Sequence, residues 1–387
     1  MTKRFVLPAL MLACFILFPV VNAGAQTANE FYNRGLAYYN KGNYDQAIAD
    51  YTKAIQIDPN YALAYYNRGV AYYDTGNYDQ AIADYTKAIQ LNPNYATAYY
   101  NRGDAYYDKG NYDQAIADYT KAIQIDPNNA HAYYIRGVAY YAKGNYDQAI
   151  ADYTKAIQID PNNAYAYINR GVAYYDTGNY DQAIADYTKA IQLNPNNATA
   201  YNNRGDVYNR KGNYDQAIAD YTKAIQIYPN YADAYENRDW TYLYLNKGDT
   251  AFEQATAFLE LNGLKGDSAP YAVLVGYIGL RKSNKAAAAK VFLETWIKQV
   301  EPEAWTTKIM RYMHGDLTAA GLLALAVDNG KLTEAHTYIG EMQLFAGTPA
   351  TAKIHFGWVK ENGTKTFSEY TLAIAELNRM ANSSKPK

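Results

Sequence analysis

Few residues in this chain of 387 could do chemistry. Histidine occurs four times, at His131, His314, His336 and His355. His336 and His355 fall on two expected helices and could approach each other. Two imidazoles without a third ligand or an orienting carboxylate fall short of a metal centre or a general base, and their plain reading is surface or half-buried helix residues. The single cysteine, Cys14, sits in an apolar leader. Once that leader is removed, the chain has no thiol nucleophile, disulfide or cysteine-ligated metal. No H-E-x-x-H, G-x-S-x-G or phosphate-cradling glycine loop occurs. Carboxylates are plentiful, but they recur with the repeat described next, so no pair stands out. No catalytic, cofactor-binding or metal-ligating residue is assigned, and the expectation is a protein that is not an enzyme and needs no cofactor.

The elements that would position any site are set by one stretch, NYDQAIADYTKAIQ. It begins at Asn43 and returns unchanged at Asn77, Asn111, Asn145, Asn179 and Asn213, 34 residues apart each time. A fixed period of this size marks a stacked repeat. Ala47, Ile48, Tyr51, Ala54 and Ile55 recur at helical spacing, which gives one apolar face. Gly42 can take a positive φ and end a preceding helix. Asn43 and Gln46 have the spacing of a capping box for the next one. Pro59 stops that second helix. One such helix pair cannot bury its apolar face alone, whereas stacking against neighbours can. Arg34 and Asp50 recur together on the paired helices, an expected structural ladder, with a ligand-binding row of arginines as the alternative.

The repeat resembles the tetratricopeptide repeat. Phe31, Gly35, Tyr38, Ala47, Tyr51, Ala54 and Pro59 fall at places 4, 8, 11, 20, 24, 27 and 32 of a unit starting at Ala28. Arg34 departs from the pattern at place 7, where that family usually carries Leu. The resemblance implies an all-α, right-handed helix-turn-helix solenoid. Its repeats would span 28–61, 62–95, 96–129, 130–163, 164–197 and 198–231, with a divergent one at 232–265. The small residues Gly35, Gly69, Gly103, Gly137, Gly171 and Gly205, with Ala47, Ala81, Ala115, Ala149, Ala183 and Ala217, let paired helices come close. In this family places 2, 5, 9, 12 and 13 of each first helix line a concave groove. Here they supply Tyr66, Tyr73, Tyr100, Asp104, Tyr107, Asp108, Tyr134, Tyr141 and Tyr175 as candidate protein-binding residues. Tyrosine suits protein recognition, with a large apolar ring, few rotatable bonds and a hydroxyl. The alternative is that these rings only cover the helix pair beneath. Lysines are absent from places 5 and 9, so the carboxylate clamp of chaperone-binding members is missing.

At the N-terminus, Lys3-Arg4, the apolar run Phe5 to Val21 and Ala23-Gly24-Ala25 read as a signal peptide over residues 1–25, with the mature chain starting at Gln26 and lying in the periplasm. An uncleaved anchor, or lipidation of Cys14, is the membrane-attached alternative. Without the leader, 34 basic residues face 38 acidic ones. That balance argues against nucleic acid as a partner. The region 266–387 reads as degenerate and helical, with a worn repeat over 334–361. It resembles the C-terminal part of NlpI-type tetratricopeptide lipoproteins through Trp305, Ile309, Tyr312 and Gly315, then Tyr338-Ile339-Gly340-Glu341, then Phe367, Glu369, Tyr370, Ala373, Glu376 and Leu377. Proteins of that kind are envelope adaptors for wall hydrolases and proteases. The expected function is therefore a non-enzymatic scaffold for other proteins, with no small-molecule substrate evident. An enzyme with a cryptic site in the C-terminal region and a self-assembling envelope protein are the alternatives.

Overall fold

The computed structural model describes residues 26–264, 266 and 268–383. The expected signal segment and Cys14 lie outside the described residues. Those described are helical, with no strand among them, and they form two compact units that meet in sequence at Lys143 and Gly144.

The first unit holds α1 (Ala28–Asn40), α2 (Tyr44–Ile57), α3 (Ala62–Asp74), α4 (Tyr78–Leu91), α5 (Ala96–Asp108), α6 (Tyr112–Ile125) and α7 (Ala130–Ala142). Odd-numbered helices are the first of each repeat and even-numbered ones the second. The two pack as a hairpin because glycine on one accepts a ring from the other. A Cβ placed on Gly103 would lie 2.7 Å from Tyr119 Cε1, one on Gly35 2.7 Å from Tyr51 Cε1 and one on Gly69 2.8 Å from Tyr85 Cε1. The glycines thus meet place-24 tyrosines, which are fully buried, rather than merely easing backbone approach.

Each first helix ends as expected. Gly42 has φ +78°, its N–H donates to Tyr39 O, and the Asn43 N–H donates to Tyr38 O at 3.0 Å. That paired bond closes the helix end. The expected capping box at Asn43 is not formed: its side chain makes no cap bond, and neither do the equivalent asparagines of α4 and α6. The closing turn sets ψ at 69°, away from the extended value of an N-cap. Asn77 instead turns its Nδ2 to Thr75 Oγ1 at 2.9 Å. A true capping box lies at Thr27 and Glu30.

The second unit continues with α8 (Tyr146–Ile159), α9 (Ala164–Asp176), α10 (Tyr180–Leu193), α11 (Ala198–Arg210), α12 (Tyr214–Ile227), α13 (Ala232–Tyr244) and α14 (Gly248–Asn262). After these come α15 (Ser268–Lys282), α16 (Ala286–Trp296), α17 (Trp305–His314), α18 (Ala319–Leu325), α19 (Asn329–Phe345), α20 (Pro349–Asn362) and α21 (Ser368–Ser383). Its largest core includes residues from Trp240 to Leu372, drawn from both the divergent repeat and the C-terminal region.

The divergent repeat changes both residues of the ring-on-glycine contact. Asp239 stands at the glycine place, and Ala255 stands where the tyrosine would press on it; both are buried. Asn246, at φ +56°, takes the left-handed turn that glycine takes elsewhere, while Gly248 opens α14 and its Cβ position lies 2.4 Å from Gly279 O. Two later pairs repeat the ring-on-glycine contact at the same sequence spacing, Gly276 with Phe292 and Gly340 with Phe356. The second is the worn repeat expected from sequence. The first joins α15 and α16, where the sequence lacks the repeat wording.

Candidate groove on the first helices

In the first unit the place-5 tyrosines are packing rings. Tyr32 and Tyr66 are buried, at 7% and 8% exposure. Tyr66 lies between Tyr85 and Tyr95, with centroids 5.9 and 4.8 Å away, and its hydroxyl accepts from Asn101 Nδ2 at 2.8 Å. Tyr32 accepts from Asn67 in the same way. These bonds lace one first helix to the next. Tyr100 and Tyr134 are half-buried. Tyr100 Oη shares a 2.8 Å hydrogen bond with His131 Nε2, and His131 stacks on Tyr134. Burial holds His131 below the usual imidazole range.

Place 12 of one repeat and place 13 of the next lie side by side. Tyr39 Oη donates to Asp74, and Tyr73 Oη donates to Asp108. Asp74 and Asp108 are exposed, so the row is a solvent-facing ladder of phenols and carboxylates. The ladder changes at Tyr107, because the next place 13 is Ala142. The Tyr107 ring leans on Tyr112 at 5.2 Å, and among the described residues its hydroxyl makes no hydrogen bond. Tyr141 is half-buried at the same place of the fourth repeat. Asp104, read from sequence as a groove acid, accepts from the buried Tyr119 Oη at 2.8 Å. One oxygen of that carboxylate therefore completes the core.

The second unit treats the same face differently. Tyr175 Oη accepts from Arg210 Nε at 3.0 Å, and Arg210 also donates to the carbonyls of Lys365 (2.6 Å) and Thr366 (2.9 Å). Tyr244 Oη donates to Ser368 O at 3.0 Å. The segment leading into α21 thus crosses the first-helix face, leaving a polar cleft of about 170 Å³ beside Asp206 and Arg210. Asp206 accepts from Tyr221 at 2.8 Å and Asn237 at 2.9 Å, and burial pushes it up to about 7 against the pull of Tyr221 and Arg210. Sequence reasoning missed Arg210. The available signal was arginine at a place that holds Asp in three other repeats.

The arginine ladder is structural. Arg68 forks onto Asp84 through Nε (2.7 Å) and Nη2 (2.8 Å), while Nη1 reaches Thr52 of the preceding repeat at 2.9 Å. Arg102, Arg170 and Arg204 repeat this geometry. With those donors engaged, the guanidinium fixes the hairpin and its neighbour rather than facing a ligand. In the C-terminal region, Glu334 accepts from Trp305 Nε1 at 3.0 Å and Glu369 from Tyr338 Oη at 2.8 Å; both acids are buried in the core. Among the described residues no group of three or more His, Cys, Asp or Glu could hold a metal ion, and no helix is long and apolar enough to cross a membrane.

One tetratricopeptide repeat model matches residues 66–130, 100–164 and 168–232, and a second TPR repeat model matches 35–76. Together they cover half of the chain. The chain belongs to the tetratricopeptide repeat family. Solved structures to which this chain is similar include MamA, at 34% identity over 41% of this chain and 93% of that one, TM-score 0.40. YrrB, described as a TPR protein with an unusual peptide-binding site, is 28% identical over 48% of this chain and 95% of that one, TM-score 0.43. The C-terminal part of a TPR repeat-containing protein from Cytophaga hutchinsonii is 22% identical over 68% of this chain and 99% of that one, TM-score 0.50. No curated protein matches the chain in sequence.

Proposed function

We propose that this tetratricopeptide protein is a non-enzymatic scaffold that holds an extended, basic or neutral segment of a partner protein against the first-helix face of α1, α3, α5 and α7. The observation that carries this reading is the exposed Tyr39–Asp74 and Tyr73–Asp108 ladder, which runs up to the uncommitted hydroxyl of Tyr107. Carboxylates beside phenol rings suit lysine or arginine side chains, through charge and ring face together. The corresponding face at α11 and α13 is crossed by the protein's own Lys365–Ser368, which favours the first unit as the partner site. The leader and the likeness of the C-terminal region to envelope adaptors support a periplasmic setting, with envelope enzymes as partners.

The test is a crosslinking pull-down from envelope extract, followed by titration of the recovered segment. Tyr107→Ala and the pair Asp74→Asn/Asp108→Asn should weaken binding by about 2 kcal/mol or more if they form the hot spot. Lys121→Ala and Lys155→Ala, exposed on second helices, should leave it unchanged. Equal binding by all the folded variants would remove the groove from consideration.

A further inference from the structure

The two histidines noted in the sequence do meet. His336 on α19 and His355 on α20 place their Nδ1 atoms 3.0 Å apart, with ring centroids at 5.0 Å. The cause is the packing of the worn repeat. Gly340 admits the Phe356 ring so closely that its Cβ position lies 2.4 Å from Phe356 Cε1. His336 lies one turn before that glycine, and His355 directly precedes that phenylalanine. Trp358 stacks on His336, with centroids 4.1 Å apart and an interplanar angle of 9°. Both imidazoles are half-buried, so solvent still reaches them. Burial lowers both, taking His336 to about 4 with help from His355. A hydrogen bond between two Nδ1 atoms has one ring donating and the other accepting, so at least one imidazole is neutral and offers a lone pair there.

We propose that His336 and His355 form a surface site for a divalent transition-metal ion of the Cu(II) or Ni(II) kind, bound through both Nδ1 atoms. An ion at ~2.0–2.1 Å from two nitrogens this far apart subtends roughly 90–97° between them. That is close to the right angle between neighbouring ligands of a tetragonal site, and narrower than the tetrahedral angle that zinc adopts. On binding, the ring that donates in the Nδ1–H···Nδ1 bond moves its proton to Nε2, so both Nδ1 lone pairs face the ion and no net proton is released. Among the described residues no carboxylate completes the set. The remaining positions are open to water or to a side chain of a bound protein. Affinity follows the order Cu(II) above Ni(II) and Zn(II).

The experiment titrates CuSO4, NiCl2 and ZnCl2 into the full chain in a non-coordinating buffer. Binding is read by calorimetry, by tryptophan fluorescence and, for copper, by electron paramagnetic resonance. Copper should quench the tryptophan stacked on the site and show two nitrogen ligands. His336→Gln and His355→Gln should each weaken copper by about tenfold or more, since one of two protein ligands is lost. Trp358→Phe should keep the copper signal and lose most of the quench. His314→Ala, which removes the imidazole paired with Asp316 at 2.8 Å, should change nothing. Circular dichroism establishes that each variant is folded. Unchanged copper affinity and spectrum in the double variant His336→Gln/His355→Gln, or zinc bound more tightly than copper by the unaltered chain, would overturn the assignment.

Discussion

Removing one hydroxyl from two equivalent tyrosines should have opposite effects. Tyr51 and Tyr119 hold the same place in the first and third repeats, and both rings are fully buried. Tyr119 Oη donates to Asp104 at 2.8 Å, whereas Tyr51 Oη is buried with no hydrogen-bond partner among the described residues, the corresponding place being Leu36. A hydrogen bond to a charged group contributes about 1.5–3 kcal/mol, and Asp104 is half-buried, so water replaces part of it. Tyr119→Phe should therefore cost about 1–2 kcal/mol. Tyr51→Phe removes a polar atom that folding strips of water without return, so it should be neutral or stabilise by up to about 1–2 kcal/mol. The assay is urea unfolding of the full chain followed by circular dichroism, with amide exchange to localise the change to the altered repeat. Asp104→Val supplies the third arm, since Val70 and Val172 stand at that place in other repeats. In the Tyr119→Phe background it should cost less than it does alone, because acceptor and donor are then lost together. Equal destabilisation by Tyr51→Phe and Tyr119→Phe, or strict additivity in the cycle, would refute the reasoning.

The C-terminal core should weaken as pH rises. Burial, reinforced by Glu334, pushes Glu369 up to about 8, and burial pushes Glu334 up to about 7. Folded values above the unfolded ones mean that this stability is full below pH ~4.5 and is lost as pH climbs through 7–8. Glu369→Gln still accepts from Tyr338 and should raise the melting temperature at pH 9 relative to the parent while changing it little at pH 5; parallel pH curves for the two would count against it. For export, the intact mass of protein recovered from a periplasmic fraction should match a chain starting at Gln26, and an unprocessed or diacylated species would contradict the proposed setting.

The sequence alone determined the repeat, its helix pair and the turn between them, because those follow from local periodicity and from Gly42 and its equivalents. The arginine ladder was equally legible, since Arg34 and Asp50 recur at one separation on paired helices. The worn repeat at 334–361 could be read from Gly340 and Phe356. Only the tertiary structure decided which groove residues face outward. Tyr66 and Tyr73 look alike in the sequence; one is sealed between Tyr85 and Tyr95, and the other reaches Asp108 in the next repeat. Asp104 and Asp108 sit one turn apart, yet one binds a core hydroxyl and the other faces solvent. The docking of Lys365 and Thr366 on Arg210 joined residues 155 and 156 places apart. Periodicity reports which face of a helix is apolar. Which distant side chain fills the space opposite is set by how the helices stack, and a repeat written almost identically six times gives each copy a different neighbour.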